Sequence, residues 1–317
     1  MFQIVLIFLL ATFIIQQNNT LKSYSSVIEV SNLNQNDDDL YFFQFKPNTI
    51  LNFSTPQKIT NVSYLTNGDG LNEKTDIEIP KPNKTIRIVS LGNSFAFGLF
   101  VKTEDNYSEK LEEFLNDKNL CPSINKFQVI NLGVPGYGFD YAAKHYIDKA
   151  VKYEPDHIIW MVQDESISFP SELFYKQRQQ LAESKRLVDS GEMLHEKNLG
   201  YNNKLILEIE IAARNEIKSK YTDTDRIGLL SNKFALLNQI TPIPVSFFSY
   251  AGRLNGVNHQ FIYDLTGKYS NVQLLESISG ILNRENHFID DAHPNENGHK
   301  LISEKLFSQL KNKYCEN

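Results

Sequence analysis

The chain has 317 residues, of which 41% are hydrophobic and 22% are charged, and its net charge is −6. This composition is ordinary for a globular protein, and the length suffices for one large domain or a domain with an elaborated cap. The negative charge leaves no basic surface, so we expect no nucleic-acid partner. Two cysteines, Cys121 and Cys315, exclude a disulfide framework or a zinc cluster, and the sequence leaves open whether they pair.

The first twenty residues are the candidate targeting segment. Residues 2–15 are almost entirely apolar, but as a helix rising about 1.5 Å per residue they fall short of the full thickness of a hydrocarbon core of about 30 Å. We predict that residues 1–20 form a signal peptide or a retained signal anchor, with a buried N-terminal helix as the alternative. Either targeting role makes the rest of the chain extracytoplasmic, and it is then either secreted or attached to the membrane through this N-terminal segment.

The next segments differ in character from the rest of the chain. Residues 21–40 are polar and predict a tether. Residues 41–84 contain short strand-like runs interrupted by turn signals such as Asn67-Gly68-Asp69-Gly70. We interpret them as an N-terminal extension packed on a main domain that spans residues 85–317.

The main domain alternates strands with helices. The apolar runs predict strands at residues 86–91, 127–132, 157–162, 244–250 and 272–275, and helices at 107–115, 141–152 and 298–310. This alternation predicts an α/β fold with a parallel sheet covered on both faces. Residues 171–235 are charged and helical, and we interpret them as an insertion, either a lid or a structural excursion.

Ser94 is the leading candidate for a functional residue. It follows a predicted buried strand and stands in a turn framed by Gly92 and Gly98, which lifts a side chain out of a sheet beside backbone amides. Such a turn presents a nucleophile next to donors for an oxyanion. Far downstream, Asp290 and His293 supply an acid and an imidazole three residues apart. Together these residues predict a serine hydrolase.

Other residues of the same types have less distinctive positions. Asp291 is an alternative to Asp290 as the acid that orients the imidazole. We expect His287 and His299 at the surface, and we expect His145 and His157 to be structural. Trp160 lies in an apolar run and is expected in the core.

Four segments stand at the ends of predicted elements. They are, in chain order, Gly92-Asn93-Ser94, residues 131–138 (NLGVPGYG), residues 155–160 (PDHIIW) and Asp290-x-x-His293-Pro294-Asn295. In order and spacing they resemble the sequence blocks of the SGNH (GDSL-like) hydrolase superfamily, in its microbial membrane-anchored or secreted type. The resemblance covers roughly residues 62–163 and 285–310 and implies a three-layer α/β/α flavodoxin-like sandwich.

The resemblance also implies roles for five residues. Ser94 would attack an acyl carbon, His293 would take its proton, and Asp290 would hold the imidazole. The backbone N–H groups of Ser94 and Gly133 would bind the oxyanion, because the missing side chain of Gly133 would let substrate approach the backbone. Gln163 would be a third oxyanion donor.

The chain departs from the family pattern at two positions, one of which is Gln163. Asn93 stands where the family usually has aspartate, and Gln163 stands where it usually has asparagine, one methylene shorter. Asp164 and Glu165 lack a third ligand at suitable spacing, so we expect no metal and no cofactor.

These features predict an extracytoplasmic serine esterase that removes O-acyl groups, with acetyl as the expected acyl group, from a small-molecule or carbohydrate ester. Two alternatives remain open. One is an O-acyltransferase that acts on a surface glycan with the same three residues, Ser94, His293 and Asp290. The other is a non-catalytic glycan-binding protein on this fold.

Overall fold

The structure is a computed structural model. It describes residues 33–36, 39–54, 61–117, 121, 123–187, 204–249, 254–290 and 292–315. The predicted signal or anchor segment and Asp291 lie outside these residues. In the part of the chain that is described, no helix has both the length and the apolar character needed to span a bilayer. Cys121 is disulfide-bonded, whereas the side chain of Cys315 lies outside the described residues.

A five-stranded parallel sheet forms the centre of the main domain. Its strands are β5 (Thr85–Leu91), β6 (Lys126–Asn131), β7 (His157–Met161), β8 (Val245–Phe248) and β9 (Val272–Leu274), in the spatial order β6-β5-β7-β8-β9. All four pairings are parallel. This order is the doubly wound arrangement of flavodoxin-like folds, whose ligands bind at the carboxyl ends of the strands near the switch point. The predicted fold class is therefore confirmed.

Helices cover both faces of the sheet. The described helices are α1 (Ser94–Phe97), α2 (Tyr107–Leu115), α3 (Phe139–His145), α4 (Asp164–Ser168), α5 (Ser171–Ser184), α6 (Lys204–Lys220), α7 (Asp223–Ile240), α8 (Gly256–Lys268), α9 (Arg284–His287) and α10 (Glu296–Cys315). The predicted helix at 141–152 is in fact α3 followed by a π-helical turn, Tyr146–Ala150, and a 3-10 turn, Val151–Tyr153.

Each face of the sheet has its own apolar core. On one face, α3, α7 and α8 pack on the strands, and Phe139 stacks on Trp160 with ring centroids 4.3 Å apart. On the other face, α2 and α10 bury residues such as Leu111 and Leu306. Every residue of β7 is buried, as expected for a central strand of a parallel sheet covered on both sides.

The helical insertion is shorter than predicted. Leu230, Phe234 and Leu237 of α7 are fully buried in the sheet core, so α7 belongs to the main domain rather than to the excursion predicted at 171–235. The reason is topological, because parallel strands β7 and β8 need a crossover helix that packs on the sheet. The additional helices are α5 and α6, which Arg178 and Glu210 join through an ion pair of 3.2 Å.

The N-terminal strands begin earlier than predicted. β1 (Leu33–Asn36) pairs antiparallel with β2 (Asp39–Phe45), so residues 33–36 and 39–40 form part of a hairpin rather than a polar tether. The cause is the burial of aromatic residues on β2, where Phe42 and Phe43 pack on the ring of Tyr137. A second hairpin, β3 (Ile50–Ser54) with β4 (Asn61–Leu65), joins the same aromatic cluster.

Candidate active site

Ser94 stands at the carboxyl end of β5, where the chain turns sharply into α1. Asn93 caps this helix, and its Oδ1 accepts from the backbone nitrogen of Phe95 at 3.1 Å. Gly92 has φ +150°, and a Cβ there would lie 2.8 Å from the Cβ of Ala96. The turn therefore requires glycine, and it leaves the Ser94 side chain half-buried at the edge of the sheet.

Ser94, His293 and Asp290 form a continuous hydrogen-bonded chain. His293 Nε2 lies 3.0 Å from Ser94 Oγ, and His293 Nδ1 lies 2.8 Å from Asp290 Oδ2. The other carboxylate oxygen of Asp290 accepts from the backbone nitrogens of Ala292, at 2.7 Å, and His293, at 2.6 Å. The loop thus fixes the carboxylate, and the structure brings together residues that are 199 positions apart.

Aromatic side chains hold the imidazole in place. The His293 residue is 5% exposed. Its ring stacks on Phe95 at 4.7 Å and meets Phe100 edge-on at 5.1 Å. The ring therefore cannot leave the line between Ser94 and Asp290 without disturbing α1.

The charge of Asp290 sets the tautomer of His293. Burial acts to raise the pKa of Asp290, but the hydrogen bonds and the charge interaction from His293, with the amide of Ala292, outweigh it and lower that pKa below its ordinary value. Asp290 is therefore ionised at neutral pH and holds a proton on His293 Nδ1. Nε2 then faces Ser94 as a base.

The two backbone candidates for an oxyanion site differ in their hydrogen bonds. The Gly133 N–H donates to Asn131 Oδ1 at 2.9 Å, whereas the Ser94 N–H has no acceptor among the described residues. A Cβ on Gly133 would lie 2.2 Å from the backbone nitrogen of Phe97. The position thus requires glycine because the loop after β6 packs against the backbone of α1, a reason different from the substrate approach that we expected.

Gln163 lies two residues after the end of β7 and contacts Asn93. Asn93 Nδ2 donates to Gln163 Oε1 at 2.9 Å, so the two departures from the family pattern are hydrogen-bonded to each other. Gln163 is half-buried, and within the described chain its Nε2 has no hydrogen-bond partner. Sequence reasoning missed this contact because the two residues are 70 positions apart.

The remaining candidate residues lie outside this chain of hydrogen bonds. Asp164 accepts from the backbone nitrogen of Asn255 at 2.7 Å and ties α4 to the start of α8, and Glu165 pairs with Arg214. Trp160, His145 and His157 are buried in the main domain.

His299 is buried rather than at the surface as predicted. It is fully buried on α10, where its Nδ1 accepts from the backbone nitrogen of Tyr107 at 3.2 Å. Its spacing from Ile302, Ser303 and Leu306, all of them buried, is that of one helix face, and this periodicity was the signal that could have identified it.

No family model matches the sequence, and no curated protein matches it. The fold is similar to known structures of esterases and lipolytic proteins. A two-domain esterase active on acetylated mannans, co-crystallised with mannopentaose, is 17% identical with a TM-score of 0.42, over 74% of this chain and 50% of that one. This chain therefore spans about half the length of that esterase.

Two further structures match over nearly their whole length. A family 3 carbohydrate esterase from Clostridium thermocellum is 14% identical with a TM-score of 0.43, over 73% of this chain and 99% of that one. A member of the lipolytic protein G-D-S-L family from Veillonella parvula is 13% identical with a TM-score of 0.39, over 70% and 97%.

Proposed function

We propose that this protein is a serine ester hydrolase that removes O-acyl groups, with Ser94 as nucleophile, His293 as general base and Asp290 as the orienting acid. The observation that carries this proposal is the unbroken hydrogen-bonded chain from Ser94 Oγ through both nitrogens of His293 to Asp290. A nucleophile, a base and a group that orients the base are the elements of nucleophilic acyl transfer.

The reaction follows from the positions of these atoms. Ser94 Oγ forms a bond to the acyl carbon while its proton passes to His293 Nε2. The tetrahedral intermediate collapses, the bond to the alcohol oxygen breaks, and His293 gives its proton to the leaving alcohol. Water then attacks the acyl-enzyme with His293 again as base, which releases the acid and restores Ser94.

Two donors that have no acceptor among the described residues are suited to stabilise the oxyanion. They are the Ser94 N–H and the Nε2 of Gln163, whereas the Gly133 N–H would share its proton between Asn131 Oδ1 and the oxyanion. A single donor of this kind contributes about 2.7–4 kcal/mol to transition-state stabilisation. We therefore expect Ser94 and Gln163 to contribute more than Gly133.

We propose an extracytoplasmic location and an O-acetylated carbohydrate as the substrate class. The disulfide bond of Cys121 supports the location, because disulfides persist in oxidising compartments, and so does the apolar segment at residues 2–15. The substrate class follows from this location and from the resemblance of the four sequence blocks to enzymes that act on carbohydrate, lipid and small-molecule esters.

A fluorophosphonate probe tests the proposal directly. We expect one covalent adduct on Ser94 of the full chain, absent from Ser94→Ala and His293→Ala, and hydrolysis of p-nitrophenyl acetate with the same dependence. Acetyl transfer to an added alcohol in preference to water would favour the acyltransferase alternative. Folded protein that forms no adduct and hydrolyses no ester would overturn the proposal in favour of a binding protein.

A further inference from the structure

The hydrogen bond between Asn93 and Gln163 joins the two strand ends beside the candidate nucleophile. Asn93 follows β5 and Gln163 follows β7, and these strands pair in parallel up to Leu91 and Trp160. Both side chains are half-buried. The contact therefore lies at the carboxyl edge of the sheet, where the strand order reverses.

The start of helix α1 determines which way both amides face. The backbone nitrogen of Phe95 can only donate, so Asn93 must turn its oxygen toward it. This leaves Nδ2 of Asn93 facing Gln163, and because Nδ2 can only donate, Gln163 must present Oε1. The N–H groups of Gln163 Nε2 then face away from Asn93 and have no acceptor in the described chain.

We infer that Asn93 is a positioning residue: it fixes the Gln163 amide so that this side chain offers an N–H donor, not a carbonyl oxygen, to the reacting ester. The inference rests on the proposed function and deepens it. Glutamine has one more rotatable bond than the family's asparagine, and the bond from Asn93 restrains that extra freedom. The two departures from the family pattern thus act as a pair.

An aspartate at residue 93 would reverse this arrangement. One carboxylate oxygen would still accept from Phe95, but the other would present an acceptor to Gln163. Gln163 would turn its Nε2 toward the carboxylate and leave Oε1 facing the site. A carbonyl oxygen there repels a developing oxyanion instead of stabilising it.

The test is a double-mutant cycle with Asn93→Asp and Gln163→Ala, measured on p-nitrophenyl acetate. We expect Asn93→Asp alone to lower kcat about 10- to 100-fold, with KM changed less than about twofold, because the lost interaction is made in the transition state. In the Gln163→Ala background the same substitution should change kcat less than about threefold, because there is no amide left to orient.

Two further variants separate orientation from charge and from capping. Asn93→Ser keeps an acceptor for Phe95 without reaching Gln163 or adding charge, and we expect it also to lower kcat only when Gln163 is present. Asn283→Asp is the matched control, because Asn283 caps the equally short α9 through Glu285 at 2.9 Å, and it should leave kcat unchanged.

The outcomes distinguish this inference from the proposed function. Wild-type protein that neither labels nor hydrolyses esters contradicts the proposed function itself. Active wild type with full kcat in Asn93→Asp, or an equal loss of kcat with and without Gln163, would overturn the role of Asn93 and leave the esterase standing.

Discussion

Gly133 lies directly against the backbone of Phe97. A Cβ at residue 133 would come within 2.2 Å of the Phe97 nitrogen and 2.5 Å of the carbonyl carbon of Ala96. The loop after β6 and the helix that begins with Ser94 thus contact each other through backbone atoms. A clash there cannot be relieved by rotating a side chain. The position of α1 is therefore sensitive to residue 133.

Gly133→Ala should displace α1 and move Ser94 away from His293. We expect a loss of stability of about 1–3 kcal/mol, typical of overpacking, and a loss of esterase activity of more than about tenfold. Chemical denaturation and hydrolysis of p-nitrophenyl acetate measure the two effects. Gly228→Ala is the matched control, because a Cβ on Gly228 of α7 meets nothing within 4 Å and a helical alanine stabilises by about 1 kcal/mol. Equal behaviour of the two variants would contradict the packing argument.

Tyr64 connects the N-terminal extension to the segment after α1. Its hydroxyl accepts from the backbone nitrogen of Phe100 at 2.7 Å and donates to the carbonyl oxygen of Gly98 at 3.1 Å. Tyr64→Phe would leave the buried N–H of Phe100 without an acceptor among the described residues, whereas the Gly98 carbonyl would keep the bond that it accepts from the Val101 nitrogen at 3.3 Å. For the lost partner of Phe100 we expect a loss of about 1–3 kcal/mol in the free energy of unfolding. Tyr263→Phe, at a residue that is 60% exposed, should cost less than about 0.5 kcal/mol. Similar losses in the two variants would show that the buried bridge contributes nothing.

Asp290→Asn should remove the group that keeps the proton of His293 on Nδ1. By analogy with such triads we expect kcat to fall about 10⁴-fold, with the hydrogen bond to the loop amide partly retained. Because the pKa of Asp290 is lowered, its contribution to stability is present above the unfolded-state pKa and is lost as the pH falls through the lower folded-state value. Wild-type stability should therefore exceed that of Asp290→Asn at pH 7, and the difference should shrink in strong acid. A difference that does not depend on pH would contradict this coupling.

Three buried histidines should make the fold sensitive to acid. Burial lowers the pKa values of His145, His157 and His299 to about 3, with a smaller contribution from nearby positive charge. Between about pH 6.5 and 3 the unfolded chain therefore binds more protons than the folded protein, so the free energy of unfolding falls as the pH falls. Each histidine contributes up to about 1.4 kcal/mol per pH unit to the slope of the free energy of unfolding against pH.

His299→Asn tests the direction of this pH dependence and changes no other charged group. The asparagine oxygen can accept from Tyr107 as Nδ1 does, so the helix contact is kept. Urea denaturation at pH 4 to 6 measures the free energy of unfolding. In His299→Asn this free energy should change less steeply with pH than in the wild type, by the slope that corresponds to about one bound proton. An identical slope would mean that His299 is already protonated in the folded protein.

The local patterns predicted the elements of this fold well. The apolar runs placed the five strands within about two residues of their bounds, because a buried parallel strand needs a continuous apolar run. The glycine-framed turn at Ser94 and the short spacing of Asp290 and His293 were also visible, because each depends on neighbouring residues. Three features were predicted wrongly from the sequence: the hairpin at residues 33–45, the sheet contact of α7 and the buried position of His299. Each of them depends on what its segment packs against.

The sequence by itself determined which segments form the strands of the sheet, the turn that exposes Ser94 and the loop that joins Asp290 to His293. These features depend on backbone sterics and periodicity, which act over a few residues. Only the tertiary structure decided that His293 lies 3.0 Å from Ser94, that Gly133 packs on Phe97, and that Asn93 donates to Gln163. Those contacts depend on the register of β5 against β6 and β7 and on how helices dock on the sheet. No segment contains that information alone, because the contacts form between residues that the fold brings together.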